Sequence, residues 1–93
     1  MRYLKVLWSH DFDTEPVELF SEIGEDGYEA RKVDVYRDGR LDWADAGSET
    51  GTTFLSSGPL PPLDEINSEA DFVAEMIEAS EFENVWSRAQ VGS

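Results

Sequence analysis

The segment Glu29–Trp43, EARKVDVYRDGRLDW, places two runs rich in Val, Tyr, Leu and Trp on either side of Asp38-Gly39. Asp-Gly is favoured in a two-residue type I′ turn, because both central residues need a positive φ and the twist of that turn matches the flanking strands. The segment therefore predicts a β-hairpin. The expected cross-strand pairs are Arg37 with Arg40, Tyr36 with Leu41, Asp34 with Trp43, and Lys32 with Asp45.

The residues before the hairpin predict further strands. Tyr3–Trp8 is apolar on both faces, which suits a central strand. Val17–Ile23 alternates as a half-buried strand does, with Phe20 as the one apolar residue on its polar side. Gly24–Gly27 forms a turn, and Tyr28 begins the strand that enters the hairpin. Successive antiparallel strands of this kind form a meander.

The strand faces can be assigned in two ways. With regular pairing, Lys32 and Asp34 share a face with the apolar residues Val17, Leu19, Ile23, Tyr28, Ala30, Tyr36, Leu41 and Trp43. A β-bulge near Arg31-Lys32 would instead group Tyr28, Ala30, Val33 and Val35 and turn Tyr36, Leu41 and Trp43 outward. In the second case an aromatic patch edged by Asp34 and Asp45 faces solvent.

The second half of the chain predicts loop, then short elements, then a helix. Ala46–Pro62 is low in charge and rich in Gly, Ser, Thr and Pro, with a short strand possible at Thr52–Leu55. The apolar residues after it form two stripes on nearly opposite sides of one hypothetical helix, so we divide the segment. The division predicts a short helix at Leu63–Asn67, a strand or second short element at Phe72–Ile77, and a final helix over Ala79–Ala89.

These elements define an α+β fold, with an antiparallel β-meander sheet of four to six strands packed by a C-terminal α-helix. We expect Phe82, Val85, Trp86 and Ala89 of that helix to cover the sheet. The length of 93 residues indicates a single domain spanning residues 1–93. An apolar fraction of 40% argues for a folded chain despite the high net charge.

Charge is the feature of the sequence that bears most on function. The chain has 21 acidic and 7 basic residues, with ten acids and six bases in residues 1–40 and eleven acids and one base in residues 41–93. Such a surface repels nucleic acids and anionic membranes. It attracts a basic protein and accelerates their association at low salt. The same acidity could instead serve only solubility.

The sequence carries fewer signals about cellular location and redox chemistry than about charge. There is no cysteine, so the chain has neither a disulfide framework nor thiolate chemistry. The first residues, MRYLKVLWSHD, lack the apolar run of a secretory signal, and no segment approaches the length of a membrane span. We expect a cytoplasmic protein.

His10-Asp11, with Asp13 and Glu15 nearby, is the one grouping that contains a titratable base. A histidine beside carboxylates could act as a general base or contribute to a metal site. However, no nucleophile, second histidine or metal-binding spacing accompanies it. Nucleotide-binding and calcium-binding motifs are also missing. We therefore predict no cofactor, no metal and no catalytic residue, and an ordinary loop hydrogen bond for His10.

Protein binding is the function that these features favour. Trp and Tyr dominate binding energies at interfaces, and Trp43 lies in sequence between Asp42 and Asp45. The candidate partner-binding residues are His10, Asp11, Asp13, Glu15, Asp34, Asp42, Trp43 and Asp45.

Several stretches resemble a small bacterial family of acidic proteins classed as a domain of unknown function. They are YLKV-L-W-S-HDF at Tyr3–Phe12, EPVELFSEI at Glu15–Ile23, GYEARKVDVYRDGRL at Gly27–Leu41, PLPPLDEIN at Pro59–Asn67 and EFENVWSRA at Glu81–Ala89. The resemblance implies an extended segment before the last helix, which favours a strand at Phe72–Ile77. Glu78 departs from the Ser or Thr expected to cap that helix. The resemblance implies no activity and no catalytic residues.

Small acidic proteins of this type are also similar to the immunity proteins of bacterial toxin systems. We expect a non-enzymatic protein whose acidic surface docks a basic partner, such as a toxin or nuclease that it neutralises. One alternative is a small hydrolase or metal-dependent enzyme that uses the loop of His10, Asp11 and Asp13. Another is a structural domain without a strong partner.

Overall fold

The computed structural model describes residues 1–45, 48–49 and 63–92. The strand considered at Thr52–Leu55 lies outside the described residues. The elements in chain order are β1 (Arg2–Trp8), β2 (Glu18–Ile23), β3 (Glu29–Val35), β4 (Leu41–Asp45), β5 (Ser48–Glu49), α1 (Leu63–Asn67), β6 (Phe72–Met76) and α2 (Ala79–Gly92). The short helix, the strand after it and the final helix confirm the division of the C-terminal segment.

The described strands form one antiparallel sheet in the order β5-β4-β3-β2-β1-β6. The first five strands are a meander, and β6 returns to pair with the free side of β1. This arrangement confirms the α+β fold and the central position of β1. No helix in the described part of the chain is both long enough and apolar enough to cross a membrane.

The predicted register of the β3–β4 hairpin is wrong by one residue. Gly39 has a φ of 92°, whereas Asp38 does not have the positive φ that a type I′ turn requires. The Gly39 N–H donates to the Tyr36 carbonyl at 2.9 Å, and the Tyr36 N–H donates to the Arg40 carbonyl at 2.9 Å. This is a three-residue loop that ends in a left-handed glycine. The observed pairs are Val35 with Leu41, Val33 with Trp43, Asp34 with Asp42, Lys32 with Ala44, and Arg31 with Asp45.

The slip changes which residues share a face, so neither expected face assignment is correct. Leu41 and Trp43 lie on the face covered by α2, where they pack with Val33 and Val35. A register shift does occur, but it lies between Glu22–Arg31 and Ile23–Glu29 and leaves Ala30 as the extra residue. Trp43 is therefore partly buried beside the helix and is not part of an outward aromatic patch.

Helix α2 closes one face of the sheet, as the apolar spacing predicted. Phe82, Val85 and Ala89 are buried, and Trp86 packs at the side of this cluster. Phe20 is buried here too, so the side of β2 that was expected to be polar is part of the core. Each large side chain buried in this way contributes about 1.5–3 kcal/mol.

Arg31 attaches α2 to the sheet. Its Nε and Nη2 atoms donate to Glu22 Oε1 and Oε2 at 2.7 and 2.6 Å, and its guanidinium also donates to Glu83 of α2 at 2.6 and 3.1 Å. The guanidinium carbon lies 5.0 Å from the Phe82 ring centroid and 4.9 Å from that of Trp86. The hydrogen bonds from Arg31 lower the pKa of both glutamates.

The opposite face is covered at one end by the short helix α1. Its buried apolar residues are Leu4, Val6, Ile23 and Ala74, with Leu63 and Ile66 of α1 packed against them. This face also buries the polar residues Ser21, Glu29, Asp34 and Asp42. It is therefore the more polar of the two faces.

Asn67, the last residue of α1, protects the outer side of β6. Tyr3 and Ser9 form backbone hydrogen bonds to Ile77 and Asp71, so the backbone groups of Ala74 point away from β1. The Asn67 amide fills those positions: its Nδ2 donates to the Ala74 carbonyl at 2.9 Å, and the Ala74 N–H donates to its Oδ1 at 2.7 Å. This side chain takes the place that a neighbouring strand would occupy.

Candidate functional site

The loop that contains His10 is held by the histidine itself. The Phe12 N–H donates to His10 Nδ1 at 3.0 Å, and His10 Nε2 lies 2.7 Å from the Pro16 carbonyl. A carbonyl only accepts, so Nε2 carries the proton and Nδ1 is the acceptor. These are the ordinary loop hydrogen bonds expected for His10, and a general base here would first have to lose one of them.

Arg37 connects this loop to the β3–β4 hairpin. Its Nη2 donates to the His10 carbonyl, and its Nη1 lies 3.6 Å from Asp13 Oδ1. Asp11, Asp13 and Glu15 are all exposed. The loop is therefore fixed through its backbone, while its carboxylates point into solvent.

The loop also carries the exposed end of a row of aromatic rings, which we call the aromatic row. It runs from Phe72 to Trp8, His10 and Phe12, with successive ring centroids 5.7, 4.3 and 5.5 Å apart. Phe12 is 62% exposed, so the row leads from the edge of the core to the surface. Large aromatic side chains at the surface are frequent anchors of protein interfaces.

A set of exposed carboxylates, which we call the acidic strip, follows the β6 edge. No basic residue occurs between residues 63 and 87. Helix α1, the turn after it, β6 and the start of α2 bring the acids of this segment to the sheet edge and both of its faces. The strip consists of Asp64, Glu65, Glu69, Asp71, Glu75, Glu78, Glu81 and Glu83.

The aromatic row and the acidic strip meet at the start of β6. The Ser9 N–H donates to the Asp71 carbonyl at 2.9 Å, and Trp8 pairs with Phe72 across the two strands. The acids of the His10 loop therefore lie at one end of the strip, beside the exposed Phe12 ring. This junction is a negative surface with an aromatic centre.

The structure does not gather all of the candidate partner-binding residues into one patch. His10, Asp11, Asp13 and Glu15 lie together in the loop at the junction. Asp34 and Asp42 are cross-strand partners, buried on the face that α1 partly covers. Trp43 and Asp45 lie on the α2 face, where the Trp43 ring is 5.4 Å from that of Trp86. We therefore restrict the candidate surface to the loop, the aromatic row and the acidic strip.

Sequence reasoning missed Phe12 and Phe72 as members of this surface. A signal for Phe12 was present, because Trp8, His10 and Phe12 are spaced by two residues. In an extended chain this spacing places side chains on the same side. The contribution of Phe72 depends on the pairing of β6 with β1, which no local pattern indicates.

The described residues show no group of three or more His, Asp or Glu side chains placed to hold a metal ion. The acids of the strip follow one edge and do not converge on one point. The arrangement therefore offers a long-range negative potential along this edge.

Comparisons with known proteins locate the chain within a family. Neither the curated proteins nor the solved structures include a match to it. The family described as Domain of unknown function (DUF6881) matches residues 2–91, which is nearly the whole chain. This agrees with the resemblance noted from the sequence, and the protein belongs to that family.

Proposed function

We propose that this protein is a non-enzymatic acidic binding module that docks a basic protein, such as a toxin or nuclease that it neutralises in the cytoplasm. The observation that carries the proposal is the acidic strip, whose eight exposed carboxylates extend from the β6 edge onto the adjoining faces of the sheet without an intervening base in sequence. Carboxylates concentrated at one edge act together on an approaching cationic surface, which accelerates association.

Two of these carboxylates are already engaged within the protein. Glu83 accepts hydrogen bonds from Arg31, and Glu81 lies 4.0 Å from Lys5 Nζ. The part of the strip directed at a partner is therefore the stretch from α1 to the end of β6. It lies next to the aromatic row, so charge and ring surface act at the same place.

The aromatic row supplies the contact that charge alone does not. Phe12 offers an exposed ring between Asp11 and Asp13. An arginine or lysine of the partner can stack on this ring and pair with Asp11, since Asp13 already lies 3.6 Å from Arg37 Nη1. Rim charges mostly affect the association rate, whereas a buried aromatic anchor affects the dissociation rate. We therefore assign steering to the strip and anchoring to Phe12.

The test is affinity capture from a lysate of the source cells, with the full chain as bait and the captured proteins identified. We expect retained proteins to be basic and to be released as salt rises from about 50 to 200 mM, because screening weakens exposed charge pairs. Capture without a basic bias, or retention that is independent of salt, would argue against the proposal.

A matched pair of variants makes the test specific to the strip. Glu75→Gln with Glu78→Gln removes two charges from the strip, whereas Glu25→Gln with Asp26→Asn removes two exposed charges from the β2–β3 turn. We expect the first pair to slow association with the captured protein several-fold and the second pair to have little effect. Equal effects would mean that net charge, and not the strip, is responsible.

The anchor is tested separately by Phe12→Ala, with Val91→Ala at the exposed end of α2 as its control. We expect the Phe12 variant to dissociate at least about tenfold faster, because truncating an interface anchor costs about 2 kcal/mol or more. An unchanged dissociation rate would remove Phe12 from the docking surface while leaving the role of the strip in place.

A further inference from the structure

A cavity of about 380 Å³ lies between α1 and the sheet, on the face opposite α2. Its apolar wall is formed by Leu4, Val6, Leu19, Ile66 and Phe72. Sites for small molecules have volumes of roughly 300–1,000 Å³ and are mostly apolar, with a few polar groups at fixed positions. The cavity therefore has the size and the wall of a small-ligand site.

The polar groups of the cavity are buried and ordered. Ser21 and Glu29, which are 5% and 8% exposed, both line it, and Ser21 Oγ donates to Glu29 Oε2 at 2.6 Å. The hydrogen bond fixes the orientation of the carboxyl group before any ligand arrives. A protonated amine that enters the cavity can form a charge-assisted hydrogen bond with this fixed carboxyl group.

The charges around the cavity are mostly negative. Glu65 of α1 and Glu69 of the next turn stand at its exposed side, while Lys32 is the one basic residue among its described lining residues. The Lys32 ammonium lies 3.8 Å from Asp34 Oδ1, so a further carboxylate offsets its charge. The cavity thus combines an apolar wall with a surplus of carboxylates.

We propose that this cavity binds a small organic cation, a protonated amine carried on an apolar or aromatic body. The body would pack against Leu19, Ile66 and Phe72, and the ammonium would form a charge-assisted hydrogen bond with Glu29. This site shares Glu65, Glu69 and Phe72 with the protein-docking surface, but it takes a small molecule into the α1 face. Glu29 belongs to the cavity alone, so a substitution of Glu29 tests the cavity without changing the docking surface.

Three probes with the same ring and different charge test the ligand class. They are 2-phenylethylamine, 2-phenylethanol and phenylacetate, titrated into the full chain while backbone amide shifts are followed by NMR. We expect the amine to shift the signals of the cavity residues and to bind at least tenfold more tightly than the alcohol, since the charge-assisted bond is lost in the alcohol. We expect phenylacetate to bind most weakly.

Substitutions of single glutamates test whether the amine binds in the cavity. Glu29→Gln keeps an acceptor for Ser21 and removes the charge, so it should weaken amine binding about tenfold. Glu65→Gln on the exposed side of α1 should weaken it about two- to threefold by the loss of a more distant charge. Glu75→Gln, an equal charge change on exposed β6 outside the cavity, should leave the affinity unchanged.

Several results would overturn the proposal. One is equal binding of the three probes, and another is a lack of cavity shifts with the amine. A third is an equal loss of affinity in Glu65→Gln and Glu75→Gln, which would show attraction to the general negative charge. Because Glu65 is exposed, that comparison remains valid even if Glu29→Gln impairs folding.

Discussion

The two faces of the sheet are covered by helices of very different size, and they differ accordingly in what they bury. The face under α2 is filled by Phe82, Val85 and Ala89, with aromatic rings and the Arg31 guanidinium around them. The face under α1 contains a cavity and the buried pair Ser21 and Glu29. Among the described residues, the face under α2 is filled by packed side chains, whereas the face under α1 borders a cavity.

The lengths of the helices account for this difference. Helix α2 has 14 residues and presents a repeated apolar stripe to the sheet, whereas α1 has five residues, none of them fully buried. Among the described residues, this single turn of helix covers only part of the face, and the cavity lies beside it. We therefore expect most of the stability to come from the packing under α2, and the proposed small-ligand site lies under α1.

The largest expected effect is from Phe82→Ala. This residue is fully buried under α2, and truncating such a ring leaves a cavity that costs about 3–5 kcal/mol of the free energy of unfolding. The matching truncation under α1, Ile66→Ala, should cost about 1–2 kcal/mol because Ile66 is partly exposed. Urea unfolding measures both, with the exposed Val91→Ala as the control. Equal losses would contradict the assignment of stability to the α2 face.

Arg31→Met should cost about 3 kcal/mol. The substitution keeps an apolar stem but leaves the buried Glu22 without its cation, which is the expensive way to break an ion pair. Urea unfolding measures the loss. Arg2→Met at the exposed start of β1 is the control and should stay within about 0.5 kcal/mol of the native protein. A loss as small as that of the control would mean that Arg31 does not hold the helix to the sheet.

Asn67→Ala tests the cover of the α1 face at its edge. It removes both hydrogen bonds to the Ala74 backbone and should cost about 1–3 kcal/mol in thermal or urea unfolding. Asn84→Ala, an exposed residue of α2, loses an amide without such partners and should not destabilise the fold. Light scattering should also show concentration-dependent association of the Asn67 variant, and a monodisperse variant of native stability would contradict this role.

The smallest expected effect is on the pH dependence of stability. Arg31 lowers the folded-state pKa of Glu22 and of Glu83, so the unfolded chain binds more protons at acidic pH. Their contribution is complete above the unfolded value of about 4.3 and is lost as the pH falls through the folded values. Unfolding free energies from pH 3 to 7 should therefore rise less steeply in Arg31→Met than in the native protein. Parallel profiles would show that the two glutamates gain nothing from Arg31.

The sequence predicted the C-terminal elements well because their signals are local. Two apolar stripes at opposite angles can be satisfied only by separate elements, which divided the segment of β6 from α2. The stripes left the type of the first element open, and the family resemblance favoured a strand. The local signal in the hairpin did not determine its register, which was predicted wrongly by one residue. Asp38-Gly39 fits both a two-residue type I′ loop, in which Asp38 and Gly39 would both have a positive φ, and a three-residue loop, in which only Gly39 does. The pair alone therefore did not determine which loop would form.

The register of the β3–β4 hairpin determines on which face of the sheet half of the candidate partner-binding residues lie. A one-residue slip exchanges the faces of a strand, so Asp34 and Asp42 moved to the buried α1 face and Trp43 moved under α2. The loop that contains His10 was inferred from its composition, which does not depend on strand register, and the structure also has a loop between β1 and β2. The uneven distribution of charge indicated the acidic strip, but only the position of β6 at the sheet edge shows where it lies.

The amide of Asn67 limits the ways in which another protein can be held at this end of the molecule. It already occupies the outward donor and acceptor of Ala74, so the middle of β6 offers no backbone groups to an incoming strand. A protein that docked at the middle of β6 would therefore have to be held by side-chain contacts, without extension of the sheet. Such a complex would accept many backbone shapes and would select among partners by the spacing of their positive charges.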